Sequence, residues 1–270
     1  QSVRSRLASF WGAKLPVAAG LDLQGMVVAG RAGDLHAMWI VGEDPARDHP
    51  QAGSALDQIP FLVVQDLFMT ETAARADIVL PAASFAETEG SFTNLTGRLQ
   101  AIRTVRRAPG QARPDWWILV EVARRMAGGG REKDRATAAW GFANPAEVLS
   151  EIAKVVPDYR DLDHAAMHDI GWQPERFRPG RRTAPRRTFV RVDQEPVAPH
   201  PDYPLLLVTG DLLYDRGTLL RRSDRIQAFV PTAFVQIHPA DAERLGLIEG
   251  EGVSVASQAG VLDLVLKVDD

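Results

Sequence analysis

The stretch that decides the fold is residues 61–100, which read FLVVQDLFMTETAARADIVLPAASFAETEGSFTNLTGRLQ. The apolar run at residues 61–64 predicts a strand buried on both faces, because such strands are continuously hydrophobic. Residues 70–76 predict a helix with Thr70 as its N-cap, and residues 78–80, stopped by Pro81, predict a second strand. Strand, helix and strand at this spacing indicate parallel pairing through a right-handed crossover.

The surrounding residues extend this pattern in both directions. Residues 35–41 predict another short strand, which the turn residues 42–45 end. Residues 115–126 predict an amphipathic helix that Asp115 can cap, and residues 145–155 predict another that begins at Pro145. We therefore expect an α/β layered domain with a parallel sheet over residues 1–175.

The composition changes after this region. Arginine and proline are frequent over residues 176–202, which predicts a linker because proline at this density cannot sustain a helix. Residues 203–270 predict a small β-barrel, with strands at 205–209, 234–237, 253–256 and 261–268. One short helix starts at Pro239 and stops at Gly246. We expect this barrel to be truncated, since the chain stops directly after a strand.

Charge and cysteine content exclude several classes of function. The chain has 270 residues, a net charge of −4 and no cysteine. The absence of cysteine excludes disulfides, thiol nucleophiles and cysteine-ligated iron–sulfur clusters on this chain. The net negative charge argues against a nucleic-acid partner. The apolar runs are much shorter than the roughly 20 residues that a membrane-spanning helix needs, so we expect no membrane insertion.

Isolated motifs give weak chemical signals. Asp66, Asp77, Glu87 and Glu89 lie around the strand–helix–strand unit, where paired carboxyl groups could act in acid–base chemistry. No histidine, cysteine or lysine nucleophile lies near them in sequence, and capping roles explain them more simply. His164 and His168 have the spacing of two metal ligands on one helix face, but no general-base glutamate follows the first, so we expect no metal site.

Two long blocks resemble the molybdopterin oxidoreductase superfamily. The first is residues 61–100, which residues 113–119 continue, and the second is residues 233–260, which resembles the molybdopterin dinucleotide-binding barrel. The resemblance implies a parallel-sheet α/β domain of the molybdopterin oxidoreductase type, followed by a truncated double-psi β-barrel-like domain.

Within the superfamily, short segments favour the C-terminal part of the large peripheral-arm subunit of NADH-quinone oxidoreductase, which is respiratory complex I. Residues 96–100 (TGRLQ) and residues 213–218 (LYDRGT) are similar to that subunit. Molybdoenzymes usually have Thr-Gly-Arg at the barrel entrance, where this chain has Thr209, Gly210 and Asp211. An acidic residue at that point would repel a phosphate, so we expect the dinucleotide not to bind.

This first hypothesis implies a scaffold without catalytic or metal-binding residues and without a cofactor of its own. The resemblance places the iron–sulfur clusters on cysteines that precede this region, and these clusters would carry electrons from NADH toward quinone. The implied partners are other peripheral-arm subunits of complex I. The implied location is peripheral, on the cytoplasmic side of the bacterial inner membrane.

An alternative hypothesis treats the chain as the C-terminal part of an active molybdopterin guanine dinucleotide enzyme, such as a formate dehydrogenase. The cofactor would then lie at the carboxyl ends of the parallel strands, where open α/β sheets bind their ligands. The residues predicted to contact it are Thr70, Asp77, Thr209, Gly210 and Asp211.

Overall fold

A computed structural model describes residues 2–49, 51–127, 140–162, 164–174, 200–210, 212 and 217–269. The chain divides into two compact units, Gln1–Arg186 and Arg187–Asp270. The predicted boundaries at 175/176 and 202/203 fall largely outside the described residues and stay a prediction. None of the described helices combines the length and the hydropathy needed to cross a membrane.

The first unit contains the parallel sheet that the sequence predicts. Its strands are β1 (Met38–Val41), β2 (Leu62–Asp66) and β3 (Ile78–Pro81), in the spatial order β1-β2-β3. Both neighbouring pairs are parallel, with Met38 opposite Leu62 and Val63 opposite Ile78. The α/β fold class with a parallel sheet is therefore confirmed.

Helices surround this sheet in the first unit: α1 (Val3–Trp11), α2 (Leu23–Ala32), α3 (Pro45–Asp48), α4 (Ala52–Leu56), α5 (Asp115–Ala127), α6 (Pro145–Val155) and α7 (His164–His168). The predicted helices at 115–126 and 145–155 are confirmed. Asn144 caps α6, because its side chain accepts a hydrogen bond from the Glu147 amide at 3.0 Å. A further 3₁₀ turn spans Pro157–Tyr159.

The helix predicted at residues 70–76 is wrong in its extent. Only a single 3₁₀ turn forms, at Ala73–Arg75. The N-cap position of this turn is Thr72 and not Thr70 as predicted, although the Thr70 hydroxyl accepts a hydrogen bond from the Ala73 amide at 3.1 Å. The segment between Asp66 and Ile78 first forms a loop that returns the chain across the sheet edge. The residues that remain before β3 are too few for a regular helix.

The main hydrophobic core lies on β1 and β2. Its buried members are Ile40, Leu56, Ile59, Leu62, Val64 and Ala73. Continuous apolar sequence in β2 reflects this environment, because Leu62 and Val64 are almost completely enclosed. A separate cluster of Val27, Ala52 and Ala55 joins α2 to α4.

A β-hairpin that the sequence pattern did not predict follows the parallel sheet. Its strands are β4 (Gly90–Thr93) and β5 (Leu99–Ile102), which pair antiparallel. Trp172 adds an antiparallel bridge to Leu99, with both amide-to-carbonyl hydrogen bonds between 2.7 and 2.8 Å. Leu99, Leu149, Met167 and Trp172 form a second core beneath the hairpin.

The second unit contains a three-stranded sheet with the order β6-β8-β7. Its elements are α8 (Thr218–Arg221), α9 (Asp224–Gln227), β6 (Phe234–Ile237), α10 (Pro239–Leu245), β7 (Gly252–Ser257) and β8 (Gly260–Val268). Three predicted strands and the predicted helix are confirmed. The strand predicted at 205–209 is wrong, since Leu205–Val208 side chains are 51–81% exposed and β8 is already paired on both sides.

Candidate functional site

The buried polar side chains of the described residues gather at one edge of the parallel sheet, and we call them the carboxyl-edge cluster. Its members are Asp44, Gln65, Asp66, Thr70 and Thr72. Gln65 and Asp66 end β2, Asp44 follows β1, and both threonines belong to the crossover from β2 to β3. Strands of one direction bring their carboxyl ends to the same edge, which explains why residues distant in sequence meet here.

Asp44 ties the loop after β1 to the crossover after β2. Its Oδ1 accepts hydrogen bonds from the Thr72 amide at 2.9 Å and from the Thr72 hydroxyl at 2.7 Å. The Thr72 Oγ1 in turn accepts a hydrogen bond from the Ala46 amide at 3.0 Å. Sequence reasoning treated Asp44 only as a turn residue, although its position directly after a strand in a parallel sheet could have indicated a role at the edge.

Gln65 supplies an unused hydrogen-bond acceptor. Its side chain is fully buried, and its Nε2 donates to Asp115 Oδ1 at 2.5 Å. Its Oε1 is buried and has no hydrogen-bond partner among the described residues. Asp115 was predicted to cap the following helix, but α5 begins at Asp115 itself and this carboxyl binds Gln65 instead. Buried acceptors are rarely left unpaired, which makes Gln65 Oε1 an exception within this part of the chain.

Asp66 is a buried carboxyl group at the end of β2. Burial raises the pKa of Asp66, and the hydrogen bonds from the Phe68 and Leu67 amides oppose this effect only in part. The neighbouring carboxyl groups of Asp44 and Asp115 raise the pKa further. The cluster therefore concentrates carboxyl oxygens in a desolvated place, where they favour neutral hydrogen-bond donors over additional negative charge.

Because the pKa of Asp66 is raised in the folded protein, we predict a pH-dependent destabilisation by this residue. Above the ordinary aspartate pKa the folded state binds more protons than the unfolded state, so stability falls as pH rises toward the raised value. Asp66→Asn removes this contribution. In thermal unfolding of the cofactor-free protein between pH 4 and 7, the unfolding temperature of Asp66→Asn should increase relative to that of the unaltered protein as pH rises. A difference that shrinks with rising pH would contradict the prediction.

Of the predicted cofactor contacts, the structure places Thr70 in the cluster but puts Asp77 elsewhere. Asp77 precedes β3, and its Oδ2 accepts a hydrogen bond from the Leu62 amide at the start of β2, at 2.7 Å. It therefore lies at the amino edge of the sheet, opposite to the edge predicted for it. Its role is to fix the register of β2 beside β3.

The remaining predicted contacts belong to the second unit. Thr209 and Gly210 are exposed and lie outside any strand, and they stay predictions as cofactor contacts. Asp211, whose charge led us to expect no dinucleotide, lies outside the described residues and stays a prediction as well.

The four carboxylates considered for acid–base chemistry do not form a common site. Glu87 pairs with Arg106 at 3.2 Å and accepts a hydrogen bond from the Ser84 amide at 3.0 Å, so it organises a loop. Glu89 is exposed, and Asp77 lies at the amino edge. Within the described ranges, no three histidine or acidic side chains are arranged to hold a metal ion.

Two family models match this chain. The model described as molybdopterin oxidoreductase matches residues 9–125, and the model of the molybdopterin dinucleotide binding domain matches residues 205–270. Together they cover well over half of the chain. The match to a dinucleotide-binding domain weighs against our expectation that these residues hold no cofactor. Repulsion of a phosphate by Asp211 would come from a single side chain, while the match to the dinucleotide-binding domain extends over residues 205–270.

Relatives of this chain include formate dehydrogenase and other oxidoreductase alpha subunits, and none of these relatives is named as a complex I subunit. F420-dependent formate dehydrogenase 2 subunit alpha of Methanococcus maripaludis is 38% identical over 86% of this chain and 36% of its own length. NADPH-Fe(3+) oxidoreductase subunit alpha of Geobacter sulfurreducens is 34% identical over 92% of this chain and 27% of its own length. The chain thus spans well under half of these relatives.

A solved structure shares the fold. Acetylene hydratase from Pelobacter acetylenicus superposes with a TM-score of 0.62 and 18% sequence identity, over 99% of this chain and 40% of that protein. The parallel sheet, the two matching family models and this superposition agree. The chain belongs to the molybdopterin oxidoreductase family and carries a molybdopterin dinucleotide-binding domain.

Proposed function

We propose that this chain is the dinucleotide-holding C-terminal part of a molybdopterin oxidoreductase of the formate dehydrogenase type. The observation that carries the proposal is the carboxyl-edge cluster, with its buried and unpaired Gln65 Oε1. The similarity to a formate dehydrogenase alpha subunit over most of the chain supports it. This function is the alternative hypothesis from the sequence, and it replaces the complex I scaffold as the main hypothesis.

The cluster fits the nucleoside end of a dinucleotide. Ribose hydroxyls and base amino groups are neutral donors, and the buried oxygens of Gln65 and Asp66 are acceptors that such donors can satisfy. Leu67 and Met69 follow Asp66 and expose apolar surface at the same edge, against which a flat base can lie. A phosphate would meet the carboxyl groups of Asp44, Asp66 and Asp115, so we place the phosphates away from this cluster.

In this proposal the residues of this chain bind and orient the cofactor and take no part in the chemical reaction. The bound molybdenum–pterin group would supply two-electron oxidation of a small substrate such as formate. Asp44 and Thr72 hold the two loops of the edge at a fixed separation, because they join them by hydrogen bonds. Gln65 is held by Asp115, which keeps its Oε1 in one orientation for the incoming donor. Such preorganisation reduces the ordering cost of cofactor binding.

A second candidate function remains the complex I scaffold, because Asp211 stands where molybdoenzymes usually have arginine. Its docking on other peripheral-arm subunits is a proposal of that hypothesis. The two functions differ in one measurable property: only the molybdoenzyme retains a pterin dinucleotide after purification.

We predict that Asp66→Leu in the full-length protein lowers the amount of pterin dinucleotide that co-purifies by at least about tenfold, since a lost hydrogen bond to a charged or buried group costs about 1.5–3 kcal/mol. Glu71→Gln is the matched control, because Glu71 is exposed in the same crossover and should leave cofactor content unchanged. Thermal unfolding verifies that Asp66→Leu is folded. Full cofactor retention in a folded Asp66→Leu protein would refute the assignment of this cluster.

A further inference from the structure

A cavity of about 430 Å³ lies in the first unit, on the side of the sheet where α2 packs against α4. Its volume is in the range of small-molecule sites, which is roughly 300–1,000 Å³. Most of its wall is aliphatic, with Leu23 and Met26 from α2, Ile40 from β1, Leu56 from α4 and Ile59 just after α4. The two methionines in the wall, Met26 and Met38, can adjust to the shape of an apolar occupant.

The carboxylate residues of this cavity are its charged acidic groups. Glu43 and Asp48 line it together with His49, and no lysine or arginine does. Both carboxylate side chains belong to exposed residues, and neither forms an ion pair with the cations of the described chain.

The cavity is separate from the carboxyl-edge cluster. Asp44 stands in sequence between the lining residues Glu43 and Pro45, but it does not line the cavity, because its side chain turns to Thr72. A ligand in the cavity therefore leaves the hydrogen bonds of the cluster intact. Binding in this cavity is accordingly independent of the proposed function.

We propose that this cavity binds an apolar monocation: a small molecule whose hydrocarbon or aromatic body enters between α2 and α4 while its ammonium group lies beside Glu43 and Asp48. Burial of the body provides most of the affinity, since apolar surface leaves water. The carboxylates provide the selectivity for positive charge over negative charge. Because Glu43 and Asp48 are exposed, that selectivity is modest and weakens as salt is added.

The test uses two probes that share a body and differ in charge, 4-phenylbutylammonium and 4-phenylbutanoate. Each is titrated into the full-length protein by calorimetry at low salt and at pH 8, where histidine side chains are ordinarily uncharged. We expect the cation to bind about tenfold more tightly than the anion, since each exposed charge pair is worth up to about 1 kcal/mol. Equal affinities, or no binding of either probe, would overturn the proposal.

Variants separate the two parts of the site. Glu43→Gln combined with Asp48→Asn should reduce the preference for the cation to less than about twofold, because the charges that set it are removed. Asp34→Asn is the matched control, since Asp34 is exposed near the opposite end of α2 and does not line the cavity. The preference of Asp34→Asn for the cation over the anion should equal that of the unaltered protein.

Filling the cavity should weaken the binding of both probes to the same degree. Met26→Trp places a larger side chain in the wall, and Leu23→Trp does so from a position that is 40% exposed and tolerates the change. We expect at least about tenfold weaker binding of the cation in whichever variant keeps its thermal unfolding temperature. Unchanged affinity in a folded filled variant would place the binding elsewhere and overturn the proposal.

Discussion

Asp44→Ala is expected to lower the local stability of the carboxyl edge by about 2–6 kcal/mol, since two buried donors each lose their acceptor at about 1–3 kcal/mol apiece. The donors are the amide and the hydroxyl of Thr72, both of which bind Asp44 Oδ1. Without this acceptor the loop after β1 keeps the hydrogen bond from the Ala46 amide to Thr72 Oγ1 but loses the other two, so its connection to the crossover after β2 weakens. Hydrogen exchange in the full-length protein measures the effect as faster exchange of the Thr72 amide.

Asp44→Asn is the informative control for this experiment. An asparagine side chain keeps an oxygen that can accept from both Thr72 donors, so its effect should be less than half that of alanine. A second control, Glu43→Ala, removes an exposed neighbour and should leave the Thr72 amide protected. If alanine and asparagine at position 44 gave the same small effect, the two hydrogen bonds would not be what joins the loops.

Gly171→Ala is expected to destabilise the hairpin region by about 2–5 kcal/mol, from backbone strain of about 1–2 kcal/mol and overpacking of about 1–3 kcal/mol. Gly171 has φ +87°, and a Cβ there would lie 2.7 Å from Arg98 Cγ and 2.8 Å from Gln100 Cγ. The residue precedes Trp172, whose backbone pairs with Leu99. The change should expose the Leu99 and Trp172 amides to hydrogen exchange.

Gly12→Ala separates the two causes of this effect. Gly12 has φ +62°, but no atom lies within 4 Å of the position that a Cβ would take, so only the backbone strain of about 1–2 kcal/mol applies. Arg98→Ala in the Gly171→Ala background should restore part of the lost protection, because it removes the nearest clashing atoms. Equal effects at positions 12 and 171 would show that packing against Arg98 contributes nothing.

The parallel sheet was predictable because its strands are buried and therefore apolar. Residues 61–64 and 78–80 identify β2 and β3 to within two residues at each end. The hairpin of β4 and β5 was not predictable in the same way. Its strands contain glycine, serine, threonine and glutamine in place of a continuous apolar run, and the distant Trp172 adds a bridge to Leu99.

Local sequence patterns also predicted the wrong secondary structure for two segments whose conformation depends on residues distant in sequence. Residues 205–208 form an apolar run that predicts a strand, yet a strand forms only where another backbone is available to pair with it. Residues 70–76 have helical composition, but the crossover is short and the buried Thr72 is held by Asp44 in a loop conformation.

The candidate site was only partly visible in the sequence. Asp66 and Thr70 lie in the family block and were considered, while Asp44 and Gln65 were not, because their importance depends on pairing across the sheet edge. Asp77 was assigned to the wrong edge, although it directly precedes the strand predicted at residues 78–80 and that order already places it at the amino end.

The carboxyl edge is central to the proposed function, because it is where we place the nucleoside end of a molybdopterin dinucleotide. The most direct measurement is the content of molybdenum and of acid-released nucleotide in the purified full-length protein. We expect both in near-stoichiometric amounts, with loss of both when Asp66 is replaced by leucine. Full-length protein that is folded, carries its other cofactors and contains neither molybdenum nor pterin nucleotide would contradict this assignment and favour a scaffold that has lost the cofactor.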